Sequence, residues 1–167
     1  MNTQTKKRWR LWLVYILLFL VVMQAANWWK SRDAVSGNLS EFTGELMGGS
    51  AFSISEFAGK PVLFHFWATW CPICELENNT IQSISKDYQV ISIASWSEGE
   101  AEVKAYMQDN QLTFPVMLDT SGELAQSLGV KGVPYSFILD PNGEITFVES
   151  GYSTELGLRL RLWLSTL

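Results

Sequence analysis

The hydrophobic pattern divides the chain into two parts. No charged residue occurs in the 19 positions from Leu11 to Trp29, and the first 13 of them are hydrophobic throughout. This length is close to the roughly 20 residues that a membrane-spanning helix needs. Tryptophans stand at both ends, as they do at the two interfaces of a bilayer: Trp9, Trp12, Trp28 and Trp29.

Three interpretations of this segment compete: an uncleaved anchor, a cleaved signal peptide and a buried core helix. A signal-peptide cleavage site needs small residues three positions apart, as in Ala-x-Ala. After Ala26 the corresponding earlier residue is Gln24, and after Ala25 it is Met23. Neither pair fits, and a wholly apolar core helix with a basic flank is rare. We therefore expect a transmembrane anchor.

The basic residues predict its orientation. Four precede the anchor and two follow it: Lys6, Lys7, Arg8 and Arg10, then Lys30 and Arg32. Because loops rich in Lys and Arg stay in the cytoplasm, the N-terminus is expected inside an inner membrane and the rest outside it. The predicted organisation is a cytoplasmic tail at 1–10, an anchor at 11–29, a tether at 30–40 and a periplasmic domain at 41–167.

The pattern of the second part predicts an α/β domain with a mixed sheet. A first hairpin is expected at 41–54, turning at 48–50. Apolar runs then predict strands at 61–66, 89–95, 114–118, 135–139 and 144–149. Helical periodicity predicts helices at 72–86, 98–110, 121–128 (with Ser121 as its cap) and 153–163. Asp140-Pro141-Asn142-Gly143 is a strong hairpin turn.

Charge excludes one class of function. Residues 1–32 hold six basic side chains and no acidic one, so residues 33–167 hold six basic and 17 acidic side chains, a net charge of −11. A domain this acidic has no electrostatic surface for nucleic acid.

The chemistry-bearing residues are the two cysteines, Cys71 and Cys74, which stand directly after the strand predicted at 61–66. Three residues on a helix place two sulfurs on one face. Cys71 is expected at the helix N-terminus, where unpaired N–H groups favour the thiolate and lower the pKa of its thiol. Pro72 is suited to the first turn, and the more buried Cys74 would resolve a mixed disulfide.

Other uses of two cysteines stay open. A structural disulfide three residues long closes almost no loop and stabilises little. Zinc needs more ligands than one histidine adds. Cu(I), which needs only two soft ligands, leaves a copper-binding or copper-tolerance protein as the alternative to redox exchange. No metal site or cofactor is predicted with the redox function.

Phe66-Trp67-Ala68-Thr69-Trp70-Cys71-Pro72-Ile73-Cys74 resembles the active site of the thioredoxin superfamily. The surrounding chain resembles its membrane-anchored TlpA/ResA/DsbE branch of thiol–disulfide oxidoreductases, including the ScsD-type proteins of copper tolerance. The likeness covers residues 41–164. The other matching motifs are Gly59-Lys60-Pro61-Val62, Phe114-Pro115-Val116 with Asp119, Gly129-Val130-x-Gly132-Val133-Pro134 and Asp140-x-x-Gly143.

The resemblance implies a thioredoxin-like fold, a cis Val133-Pro134 peptide facing the cysteines, and a Val133 backbone free to pair with a client. It implies protein substrates with thiols or disulfides. It favours reduction over oxidation, with an inner-membrane electron donor of the DsbD type recharging the pair. From the residues alone, a trans proline at a strand start is the simpler expectation.

Two departures from the family pattern, and two further residues, concern the site. The pair Pro72-Ile73 is unlike the usual residues between the cysteines and leaves the redox potential open. His65 stands where cytoplasmic thioredoxins carry a buried aspartate, so it is either a general base for Cys74 or a structural histidine. Glu77 matches a carboxylate common in the branch and either handles protons or is solvated. Trp70 is expected to contact substrate.

Overall fold

The computed structural model describes residues 37–167 and six residues nearer the N-terminus: Trp9, Trp12, Tyr15, Leu18, Val21 and Val22. These six are helical and their side chains are exposed. The chain divides into two units, 1–33 and 34–167. Among the residues described, no helix is long and apolar enough to span a bilayer. Most of the predicted cytoplasmic tail and anchor, and the first part of the tether, lie outside the described residues.

The second unit alternates strands and helices. Its strands are β1 (Thr43–Glu45), β2 (Ala51–Ser53), β3 (Val62–Trp67), β4 (Gln89–Ser95), β5 (Val116–Asp119), β6 (Tyr135–Leu139) and β7 (Ile145–Ser150). Its α-helices are α1 (Pro72–Ile84), α2 (Glu100–Asp109), α3 (Glu123–Ser127) and α4 (Glu155–Leu164), and a short 3₁₀ helix spans Ile54–Phe57. The predicted order of elements is confirmed.

The central sheet is mixed, as expected. Its strand order is β5-β4-β3-β6-β7, while β1 and β2 form a separate antiparallel pair. Strand β3 is parallel to β4 and antiparallel to β6, and β4 is parallel to β5. Since β3 is the middle strand, its carboxyl end delivers the following cysteines to one edge of the sheet, where such sheets place their sites.

Strand β3 is buried on both faces, and its alternating side chains divide the core in two. Leu63 and Trp67 pack with α1, α2 and α4 on one face. Phe64 and Phe66 pack on the other face with the β1–β2 hairpin and α3. His65 therefore points away from its phenylalanine neighbours, because successive strand residues face opposite sides.

The start of α3 corrects one prediction. Ser121 does not cap this helix, which begins at Glu123 after Gly122. The carboxylate of Asp119 accepts hydrogen bonds from the backbone N–H groups of Leu124 at 3.1 Å and Ala125 at 3.0 Å instead. Other boundaries differ by one or two residues: α2 begins at Glu100 and β5 at Val116.

Candidate active site

Cys71 occupies the N-cap of α1. Its backbone is extended, Pro72 takes the first helical position, and the backbone N–H of Cys74 donates to Sγ of Cys71 at 3.1 Å. An N-terminal proline loses no helical hydrogen bond, since the first N–H groups of a helix have no partner within it. The sequence therefore places one sulfur against the positive end of the helix, as predicted.

Cys71 and Cys74 form a disulfide, with their Cα atoms 5.3 Å apart. Both side chains are buried, Cys71 at 5% exposure and Cys74 at 1%. Cys71 is therefore the more exposed cysteine of the pair.

The chain returns to this pair just before β6. The Val133-Pro134 peptide is cis, as the resemblance implied. The carbonyl oxygen of Val133 lies 3.7 Å from Sγ of Cys71. Strand pairing explains the approach: Tyr135, the first residue of β6, stands opposite Phe66 near the end of β3.

Tryptophans form one wall of the site. Trp70, directly before Cys71, is 61% exposed, and its indole Nε1–H donates to the backbone carbonyl of Trp96 at 2.8 Å. The Trp96 ring packs so closely on Gly122 that a Cβ there would come within 1.9 Å of the indole, which explains a glycine at this position.

Ile73 is also exposed beside the disulfide. Trp67 instead is buried against Tyr106 and Phe114.

Glu77 is buried, at 2% exposure, one helical turn after Cys74. Its Oε1 accepts a hydrogen bond from the backbone N–H of Ser153. The pKa of Glu77 is raised to about 7, chiefly by burial; the Ser153 hydrogen bond opposes the shift, and the charge of Glu149 adds to it. Glu149 in turn is paired with Arg161 at 2.6 Å. Glu77 is therefore not solvated.

Sequence reasoning missed Ser153, Glu149 and Arg161. They come from β7, α4 and the loop between them. Tertiary packing brings Ser153 and the charge of Glu149 to Glu77, and Arg161 pairs with Glu149. No local pattern marks such a contact.

His65 is buried in the sheet, where Ser92 and Ser136 are its register partners on the two flanking strands. Its Nδ1 is 2.9 Å from Oγ of Ser136. Burial lowers the pKa of His65 to about 3, so the imidazole is neutral at pH 7. Ser136 was not singled out from the sequence, because a serine in an apolar strand carries no distinctive signal.

Metal ligands do not cluster in the part of the chain that the structure describes, where no three His, Cys, Asp or Glu side chains are grouped to hold an ion. A two-sulfur Cu(I) site at Cys71 and Cys74 would need the disulfide to be reduced first.

Comparison with known proteins identifies the family. The family model described as Redoxin matches residues 35–158. The chain belongs to the redoxin family. A thioredoxin-like protein of Haemophilus influenzae is 31% identical to this redoxin over 153 residues, covering 90% of each chain. The thiol-disulfide oxidoreductase ResA of Geobacillus thermodenitrificans is 27% identical over 168 residues, covering 94% of this chain and 97% of its own.

The solved structures agree with this assignment. StoA from Bacillus subtilis superimposes with a TM-score of 0.62 at 29% identity, covering 78% of this chain and 98% of its own. The redoxin therefore has a thioredoxin-like α/β fold, and the predicted TlpA/ResA/DsbE-type resemblance is confirmed. Together with the Cys71–Cys74 pair, these relatives identify it as a thiol–disulfide oxidoreductase.

Proposed function

We propose that this redoxin exchanges dithiol for disulfide with client proteins through Cys71 as nucleophile and Cys74 as resolving thiol. The observation that carries the proposal is the position of Cys71. It stands at the N-cap of α1 as the more exposed cysteine, directly after exposed Trp70 and 3.7 Å from the Val133 carbonyl. Helix N-terminal N–H groups stabilise the thiolate that attacks.

The exchange has two steps. The Cys71 thiolate attacks one sulfur of a client disulfide, and the other client sulfur leaves as a thiolate that takes up a proton. The Cys74 thiolate then attacks the Cys71 sulfur and releases the second client thiol. The client gains two electrons and two protons, and the Cys71–Cys74 disulfide is formed.

Glu77 is our candidate for the group that takes the proton from Cys74. It lies one turn further along α1, is buried like Cys74, and has a pKa of about 7, which suits a proton acceptor near neutral pH. With a pKa of about 3, His65 is a weak base. Its proposed part is to order β3 under the site through Ser136.

Val133 and Pro134 are proposed to form the docking surface for an extended client segment. The Val133 carbonyl faces the nucleophilic sulfur, so a client strand paired along this backbone would bring its own sulfur close to Cys71. Trp70, Ile73 and Pro72 are exposed around the same sulfur and would contact the client side chains.

The direction we propose is reduction of clients on the outer side of an inner membrane. An electron donor of the DsbD type in the same membrane would then restore the dithiol. Support for the location comes from the 19 uncharged residues at 11–29, with four basic residues before them, and from the exposed, helical Trp12, Tyr15 and Leu18.

Reduction of insulin by the full-length protein in detergent, with dithiothreitol as electron source, tests the function. The wild type should catalyse it, and Cys71→Ser should abolish catalysis while leaving the fold intact by circular dichroism. Insulin reduction retained by Cys71→Ser would contradict the mechanism. Stoichiometric Cu(I) binding by the reduced wild type without turnover would support copper binding instead.

A further inference from the structure

Helix α4 carries an apolar face that the fold leaves uncovered. On its inner side Leu158 and Leu162 are fully buried. The opposite side presents a row of exposed apolar residues, which we term the α4 stripe: Leu156, Leu160, Trp163, Leu164 and Leu167. The first four, spaced four, three and one residues apart, lie along one side of the helix, and Leu167 follows three residues after the helix ends. A surface helix normally carries polar residues there.

The α4 stripe extends away from the disulfide. At the start of the helix, the N–H of Ser153 bonds Glu77, close to the cysteine end of α1. Further along, Arg159 reaches Asp87, which lies beyond the last residue of α1. Leu160 and the residues after it therefore lie toward the edge of the sheet opposite the active site.

The first described residues of the domain lie at this same edge. The N–H of Leu39 donates to the carbonyl of Gly143 at 2.7 Å, in the turn that follows β6. There Leu139 stands opposite Val62, the first residue of β3, whereas Cys71 follows the other end of that strand. Seven residues, 30–36, separate the predicted anchor from Gly37, and fully extended they reach about 25 Å.

We propose that the α4 stripe lies on the outer surface of the bilayer that holds the anchor, an inference that rests on the anchor proposed above. Its single tryptophan, Trp163, suits the membrane–water interface. The flanking cations are already paired: Arg159 with Asp87 and Glu155 at 2.8 Å, and Arg161 with Glu149 at 2.6 Å. The contact is therefore made by apolar side chains and does not require anionic lipid.

A second copy of the chain is a poorer occupant. Residues 37–167 hold 16 acidic and six basic side chains, a net charge of −10, so two copies repel each other. A bilayer composed of zwitterionic lipid offers an apolar layer without that repulsion. Contact through α4 would also turn the edge with Cys71 away from the bilayer and toward clients in solution.

Photo-cross-linking of the full-length protein in vesicles tests the inference. The photoreactive residue p-benzoylphenylalanine replaces either Leu160, in the α4 stripe, or Leu76, an exposed leucine of α1 near the disulfide. The vesicles are pure phosphatidylcholine or phosphatidylcholine with one part in four phosphatidylglycerol. We expect about tenfold more lipid adduct from position 160 than from position 76, with both vesicle types.

Each other outcome has a distinct meaning. A protein–protein adduct from position 160 would show a second copy on the stripe and overturn the inference, as would equal lipid labelling at both positions. A chain released from the vesicles by alkaline carbonate would disprove the anchor, and this inference with it. Insulin reduction by the same variants reports separately on the exchange mechanism and on their fold.

Discussion

Nδ1 of His65 and Oγ of Ser136 form a 2.9 Å hydrogen bond between the neighbouring strands β3 and β6. Both residues are buried. A polar group in this position is tolerated because it has a partner, and a buried nitrogen without a partner costs about 1–3 kcal/mol. The bond thus joins the strand that leads to Cys71 with the strand that follows Pro134.

Ser136→Ala should lower the free energy of unfolding by about 2 kcal/mol, because it leaves Nδ1 of His65 buried without its partner. Urea unfolding measures this. Ser92→Ala is the matched control on the strand at the other side of His65. The Ser92 hydroxyl donates to the Pro115 carbonyl, and this carbonyl still accepts the Ser92 backbone N–H when the hydroxyl is removed. The control should cost less than about 1 kcal/mol. Equal losses of stability in the two variants would contradict a specific contribution of the Ser136–His65 hydrogen bond.

Glu77→Gln should change how stability depends on pH. The carboxyl group of Glu77 keeps its proton in the folded state up to a pKa of about 7, against an ordinary value of 4.5. Between these values the folded protein holds a proton that the unfolded chain has lost, so wild-type stability falls as pH rises. Glu77→Gln has no carboxyl group at this position, so its stability does not fall with rising pH in this way. Its free energy of unfolding relative to wild type should therefore increase by about 3 kcal/mol from pH 4.5 to pH 8.

Glu75→Gln is the control for this measurement, because Glu75 lies on the same helix but is exposed. Urea unfolding of the oxidised proteins measures the free energy of unfolding of the wild type and of both variants across this pH range. Parallel curves for wild type and Glu77→Gln would contradict the raised pKa of Glu77. The same variant should also shift the pH profile of insulin reduction if Glu77 takes the proton from Cys74.

Asp119→Ala should destabilise the fold strongly. The Asp119 carboxylate accepts the Ser95 hydroxyl at 2.8 Å and the first backbone N–H groups of α3. Removing it leaves several buried donors without partners, so we expect a loss of about 2–4 kcal/mol in thermal or urea unfolding. Exposed Asp109→Ala should change stability by less than about 0.5 kcal/mol. A loss below 1 kcal/mol for Asp119→Ala would contradict its role as the cap of α3.

The sequence predicted local features better than tertiary ones. The alternation of apolar runs and helical periods predicted the mixed sheet, and the cysteine before Pro72 predicted the N-cap of α1. The burial of Glu77 could not be predicted, because its partner Ser153 arrives from the far end of the chain. Ser121 resembled a helix cap locally, but the Asp119 carboxylate at the end of β5 holds that position.

The most direct test of the account is to trap the intermediate of the exchange. Reduced, full-length Cys74→Ser lacks the resolving thiol and is mixed with a disulfide-containing peptide. Mass spectrometry should find the peptide joined to Cys71. Cys71→Ser, which keeps only the more buried Cys74, should form little adduct in the same time. Equal or faster adduct formation on Cys74 in Cys71→Ser would contradict the assignment of Cys71 as the nucleophile.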